Sequence, residues 1–246
     1  MSKITEDALL AGKISLRQPA KGFRTAIDAV FLAAAVPAED GDMVLDAGTG
    51  VGSAALCLAS RLPGVRVKGI EADGLMAELA VGNAHANGVA ERVEFIHGDI
   101  MRVKGALTPG SFDHVMANPP FRKAGSGNAP PDPVKAAATI EGEATLADWI
   151  DFCVAMVRVE GSVTLIHHAG RTDEILSCMQ GRLGDIVVFP LWPDDGGRPA
   201  KRVIIRGRKG MTAPTRTASG MALHDGDGAY TQEAQKILRD GTALAL

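Results

Sequence analysis

The sequence predicts an α/β domain with a largely parallel, Rossmann-like seven-stranded sheet, helices on both faces and a short N-terminal cap. Three observations carry this reading. Residues 40–120 alternate strand-like and helix-like segments, the pattern of parallel strands joined by crossover helices. A glycine-rich turn, Gly48-Thr49-Gly50-Val51-Gly52, follows the first strand. Asp46, Glu71 and Asp99 close three successive strands, at the edge where such sheets bind ligands.

Each element has a local reason. Residues 1–35 precede the first sheet strand and read as a cap segment, leaving 36–246 as the main domain. Residues 43–46 form an apolar strand, and 53–62 a helix stopped by Pro63-Gly64. The second strand, 65–70, runs onto Glu71; the helix over 75–87 stops at Gly88, a C-cap residue. A third strand spans 93–97, before Gly98-Asp99. The fourth, 112–117, leads into Asn118-Pro119-Pro120-Phe121, which must sit at the strand's end because proline cannot continue a central strand. Residues 122–135, rich in Gly, Pro, Asn and Ser, read as a loop. A helix over 146–159, a strand over 162–167, a helix over 172–183 and strands over 186–191 and 202–206 complete the pattern. The last thirty or so residues are weakly patterned and receive no element.

Composition narrows the function classes. Of 246 residues, 46% are hydrophobic and 22% charged, as in a soluble packed globule. The polar N-terminus lacks a secretory apolar core, and the longest apolar stretch, near 26–37, is interrupted by Asp28 and too short to span a bilayer. A cytoplasmic protein without membrane association is expected. Cys57, Cys153 and Cys178 form no CxxC pair, and the six histidines show no metal-ligand spacing, so neither metal nor disulfide is expected. His167 and His168 are strand neighbours and should face opposite sides. The net charge of −3 argues against general attraction to nucleic acid. Between Arg198 and Arg216, however, seven basic residues occur with no acidic one, which suits either a solvated face or a phosphate-binding strip.

The two turns carry the chemistry. A dinucleotide fingerprint places glycines first, third and sixth; here those positions hold Gly48, Gly50 and Ser53, so a dehydrogenase is disfavoured. An acid at Asp46 suits a cationic amino-acid moiety better than a pyrophosphate, as at the methionine end of S-adenosylmethionine. Glu71 can accept hydrogen bonds from ribose hydroxyls, and Asp99 from an adenine amine. Each acid alone reads as an ordinary strand-end carboxylate; the three together favour a cofactor site, with Gly48 and Gly50 allowing close backbone approach. An exocyclic amine is a poor nucleophile, so a site that methylates it needs acceptors for its hydrogens more than a base. The Asn118 side-chain oxygen and the Pro119 carbonyl supply acceptors, Pro119 and Pro120 stiffen the backbone, and Phe121 offers a stacking face. Asn118 thereby borders both cofactor and substrate.

The run Gln18-Pro19-Ala20-Lys21-Gly22-Phe23-Arg24-Thr25-Ala26-Ile27-Asp28-Ala29-Val30-Phe31-Leu32-Ala33, with the two turns and Pro199-Ala200-Lys201-Arg202-Val203, resembles the tRNA1(Val) adenine-N6-methyltransferase family. That family lies within the class I methyltransferases bearing an (N/D)PP(Y/F) motif. The resemblance implies the class I methyltransferase fold, S-adenosyl-L-methionine as cofactor, and Arg24 and Asp28 closing its pocket. It also implies N6-methylation of an adenine in a tRNA anticodon loop. Arg122 and Lys123, with Lys201, Arg202 and Arg206 of the basic stretch, would hold the RNA backbone. The family often has Tyr at the Phe121 position and another aromatic after it, where this chain has Arg122. Guanine N2 in rRNA, adenine in DNA and a protein glutamine amide present similar planar amines and stay open as alternatives. A non-catalytic cofactor-binding module would show a degraded turn, and both turns are intact.

Overall fold

The computed structural model describes residues 3–21, 27–102, 105–121, 141–195 and 197–246. An antiparallel hairpin of β1 (Ile4–Leu9) and β2 (Ile14–Pro19) opens the chain, followed by α1 (Ile27–Ala35). Then β3 (Met43–Ala47), α2 (Ser53–Arg61), β4 (Arg66–Glu71), α3 (Gly74–Ala86), β5 (Val93–His97) and β6 (Phe112–Ala117) alternate. The second half adds α4 (Leu146–Met156), β7 (Val157–His168), α5 (Thr172–Met179), β8 (Leu183–Asp194) and β9 (Arg202–Lys209). Two short strands, β10 (Arg216–Thr217) and β11 (Met221–His224), precede α6 (Gln232–Gln235) and a π-type turn, Lys236–Asp240.

The strands lie in the order β10-β8-β9-β7-β6-β3-β4-β5, with β11 also pairing to β8. Strands β3 to β7 are parallel, whereas β9 is antiparallel to both its neighbours. The seven strands anticipated from the sequence are all present, and β10 and β11 extend their edge. Chain direction across the sheet reverses between β3 and β6, the switch point at which open α/β sheets bind ligands. Two apolar cores result, one on each face. Leu32, Leu56 and Leu58 lie in the core beneath α1 and α2; Leu146, Ile150 and Leu165 lie in the one beneath α4 and α5.

Several boundaries in the second half differ from expectation. Helix α4 ends at Met156, because Val157 already pairs with Phe112 in the sheet. The strand then bulges before Ser162 pairs with His114. Gly161 permits the bulge: a Cβ there would stand 2.3 Å from the Asp113 carbonyl oxygen. Helix α5 stops at Met179, and β8 starts at Leu183. The C-terminal residues, for which the sequence suggested no element, pack Ile237 and Leu244 into the α1-side core, and Leu244 N–H donates to Ala34 O at 2.8 Å.

The hairpin is attached by two asparagines one turn apart on α3. Asn83 Oδ1 accepts from Arg17 N at 2.8 Å and its Nδ2 donates to Arg17 O at 3.0 Å. Asn87 repeats the exchange with Ser15, at 2.9 and 2.7 Å. Each side-chain amide thus copies a strand partner along the free edge of β2. Asn83 Nδ2 also donates to Val51 O at 2.9 Å, so the hairpin, α3 and the glycine turn meet at one fully buried side chain.

Candidate active site

A cavity of about 610 Å³ opens at the carboxyl ends of β3, β4 and β6. Its walls bring together Asp28, Asp46, Gly48, Gly50, Glu71, Asp99, Asn118, Pro120, Phe121 and Arg202, residues that span 174 positions of the chain. Arg24, Arg122 and Lys123 lie outside the described residues.

Four N–H groups of the glycine turn have partners in the protein. Gly48 N and Thr49 N both donate to Ile70 O, at 2.9 and 3.0 Å, and Gly52 N donates to Thr49 O at 2.9 Å. Gly50 N donates to Glu71 Oε2 at 2.8 Å, while Glu71 Oε1 accepts from Asp73 N at 2.9 Å. Glu71 therefore ties the turn after β3 to the turn after β4 and keeps further lone pairs for a ligand. Gly48 has φ +69°, and a Cβ on it would sit 2.4 Å from the Trp149 ring, so the indole lies directly on the turn. Asp46 is buried and accepts from Thr49 Oγ1 at 2.6 Å; burial pushes its carboxyl up to about 7. Burial also raises Glu71. Asp99 accepts from Met101 N at 2.9 Å, in the turn after β5.

The second turn is built differently. Asn118 follows β6 and stands beside Gly48, one step beyond the Ala47–Ala117 pair. Its Oδ1 is buried and has no hydrogen-bond partner among the described residues. Pro119 is buried beneath the turn, and Pro120 and Phe121 face the cavity. The Phe121 ring meets His167 edge-on, with centroids 5.3 Å apart at 89°. Arg202 lies over the ring at 4.5 Å from its centroid, and Arg202 Nε donates to Asp28 Oδ2 at 2.9 Å. Asp28 is thus at the cavity, tying the start of α1 to the motif.

The basic stretch resolves into neither a solvated face nor a continuous strip. Arg206 is half-buried, with its guanidinium 3.5 Å from Ala35 O and 3.4 Å from Leu246 O, and does not line the cavity. Arg198 pairs with Asp194, Arg208 reaches Glu160 O, and Lys209 Nζ donates to Val154 O and Val157 O at 2.7 and 2.8 Å. Lys201 is exposed beside the cavity-lining Arg202. Sequence reasoning missed Trp149, Asn83 and His167, whose roles come from packing across the sheet. Only His167 carried a signal, as one of an adjacent histidine pair whose partner, His168, is exposed.

The donor set fits a ligand that is cationic at one end and rich in hydroxyl and amine donors at the other, with an orphaned acceptor between. A methyltransferase small domain family model matches residues 25–136. A protein described as a predicted O-methyltransferase from Agrobacterium tumefaciens shares the fold, with TM-score 0.74 over 89% of this chain and 98% of that one at 24% identity. Fold and site together define a class I, S-adenosylmethionine-dependent methyltransferase. A release factor glutamine methyltransferase of Chlorobaculum tepidum is 38% identical over 90 residues, 36% of this chain and 31% of that protein. A tRNA1(Val) (adenine(37)-N6)-methyltransferase of Aeromonas hydrophila is 30% identical over 205 residues, 83% of this chain and 84% of that protein. The chain belongs to the tRNA1(Val) (adenine(37)-N6)-methyltransferase family.

Proposed function

We propose that this protein methylates the N6 amine of an adenine in a tRNA anticodon loop, with Asn118, Pro119, Pro120 and Phe121 as the amine-holding turn. The orphaned Asn118 Oδ1 carries the reading. A buried acceptor without a donor costs roughly 1–3 kcal/mol, and a substrate N–H removes that cost. Asp46 would face the ammonium of the cofactor, with Gly48 and Gly50 beneath its methionine portion. Glu71 would take the ribose hydroxyls and Asp99 the adenine amine, while Asp28, tied to Arg202, closes the α1 side. The resemblance implies that Arg24 would assist Asp28 in this.

When bound, S-adenosylmethionine supplies an electrophilic methyl on a sulfonium. Asn118 Oδ1 and the Pro119 carbonyl accept the two amine hydrogens and turn the nitrogen lone pair out of ring conjugation. Phe121 would hold the ring plane and so present the amine nitrogen to that methyl. The former C–S bonding pair would leave with sulfur, and the methylated amine would release its proton to solvent. No side chain has to act as a strong base.

An anticodon-loop adenine is unpaired and can be splayed out without opening a duplex. Of the cations named for the RNA backbone, Lys201, Arg122 and Lys123 keep that role, and Arg202 acts chiefly on Phe121. The deciding experiment incubates the protein with methyl-labelled cofactor and separate tRNA, rRNA, DNA and protein fractions. N6-methyladenosine in the tRNA digest is the expected result. Label confined to protein would replace this reading with glutamine-amide methylation, the activity named for the Chlorobaculum tepidum relative.

A further inference from the structure

The prolines of the catalytic turn leave one degree of freedom open. Ring closure sets φ at Pro119 and Pro120, but ψ of Pro120 and χ1 of Phe121 remain free. Rotation about ψ of Pro120 turns the peptide joining it to Phe121, and swings the aromatic ring. One side chain contacts both parts. His167 Nε2 lies 3.2 Å from Pro120 O, and the same imidazole meets Phe121 edge-on at 5.3 Å. Because a carbonyl only accepts, Nε2 carries the proton. His167 is fully buried, and burial lowers its pKa, which favours the neutral ring. The pairing His167–Val203 neighbours His168–Arg202 in the β7–β9 ladder. One antiparallel pair therefore supplies the perpendicular ring contact to Phe121 from His167 and the face contact from Arg202.

We propose that His167 is the positioning residue of the Asn-Pro-Pro-Phe turn: by holding Pro120 O and meeting the Phe121 ring at right angles, it aligns the stacking ring with Asn118 Oδ1. This rests on the reading of that turn as the amine-holding element. Arg202 covers one face of Phe121, so the substrate ring stacks on the other. His167 touches neither substrate nor cofactor and acts through Pro120 and Phe121.

The test separates the N–H from the ring. His167→Phe keeps an aromatic edge and removes the donor; His167→Gln restores a donor without the ring; His167→Met is a second donorless variant should the Phe variant fold poorly. Each is measured for methylation rate on tRNA, for S-adenosylhomocysteine affinity by calorimetry, and for melting temperature. Misplacing the turn should lower kcat about 10–100-fold in the donorless variants, with cofactor affinity within twofold of wild type and partial recovery of kcat in His167→Gln. Unchanged kcat in a folded donorless variant overturns the proposal. So does a loss that tracks melting temperature equally in all three variants. Wild-type protein inactive on every fraction would instead overturn the transfer reading itself.

Discussion

The two turns at the cavity are only one strand apart, yet they are built on opposite principles. In the glycine turn, the N–H groups of Gly48, Thr49, Gly50 and Gly52 all have partners within the protein. What it offers a ligand is carboxylate and open backbone. In the proline turn, Pro119 and Pro120 contribute no N–H at all, and Asn118 Oδ1 has no donor among the described residues. The first turn is a finished frame that a cofactor can lie against. The second is completed only when a substrate brings hydrogen-bond donors. Binding and catalysis should therefore respond to different substitutions.

The sharpest way to break this contrast is Asn118→Ala. Removing the acceptor should lower single-turnover methylation about 10²–10³-fold, while melting temperature stays level or rises because an unpaired buried group is gone. A variant that melts early yet keeps its rate would show that Asn118 is structural. Next comes Asn83→Ala, which removes bonds to Arg17 and Val51 from a buried side chain. It should cost about 2–3 kcal/mol in denaturant unfolding and weaken cofactor binding as the glycine turn loosens. Equal stability to wild type would detach the hairpin from that frame.

Asp46 tests the frame by pH. Its carboxyl titrates near 7 because it is buried, so below that pH it is neutral and cannot face a cationic ammonium. S-adenosylhomocysteine affinity should fall as pH drops below about 7, approaching tenfold per unit, and flatten above. Asp46→Asn should abolish the slope and bind roughly tenfold more weakly at pH 8. For the free protein the sign is reversed. Between about 4 and 7 the folded state holds the proton and the unfolded chain does not, so this group makes stability fall as pH rises. A flat binding profile in wild type would place the ammonium elsewhere. The smallest effect is expected at the surface: Lys201→Ala should weaken tRNA binding severalfold and lower the salt slope by about one, whereas Arg206→Gln should change melting rather than binding. Reversal of those two results would restore Arg206 as an RNA contact.

Much of this was legible in the chain. The alternation over 40–120, the glycine turn and the proline turn placed β3 to β6 and their connections within a residue or two, because each element carries its own stop signals. The strand-end acids were legible for the same reason. Helix α4 was read too long because Val157 and Val159 continue an apolar pattern that suits helix and strand alike. The half-buried setting of Arg206 was not legible, since charge in a sequence does not reveal which backbone oxygens lie within reach. The C-terminal segment has weak periodicity because its order comes from docking on β8 and α1.

By itself, then, the sequence determined the fold class, the ligand-binding edge and the reaction type, since these follow from short-range rules of periodicity, turn chemistry and proline stiffness. Tertiary structure alone decided which groups are free to act. It left Asn118 Oδ1 without a donor among the described residues, placed Trp149 on Gly48, set His167 perpendicular to Phe121, and bound Arg202 to Asp28 across 174 residues. The physical reason is that hydrogen-bond satisfaction and burial depend on neighbours brought together across the sheet, and no local pattern encodes them.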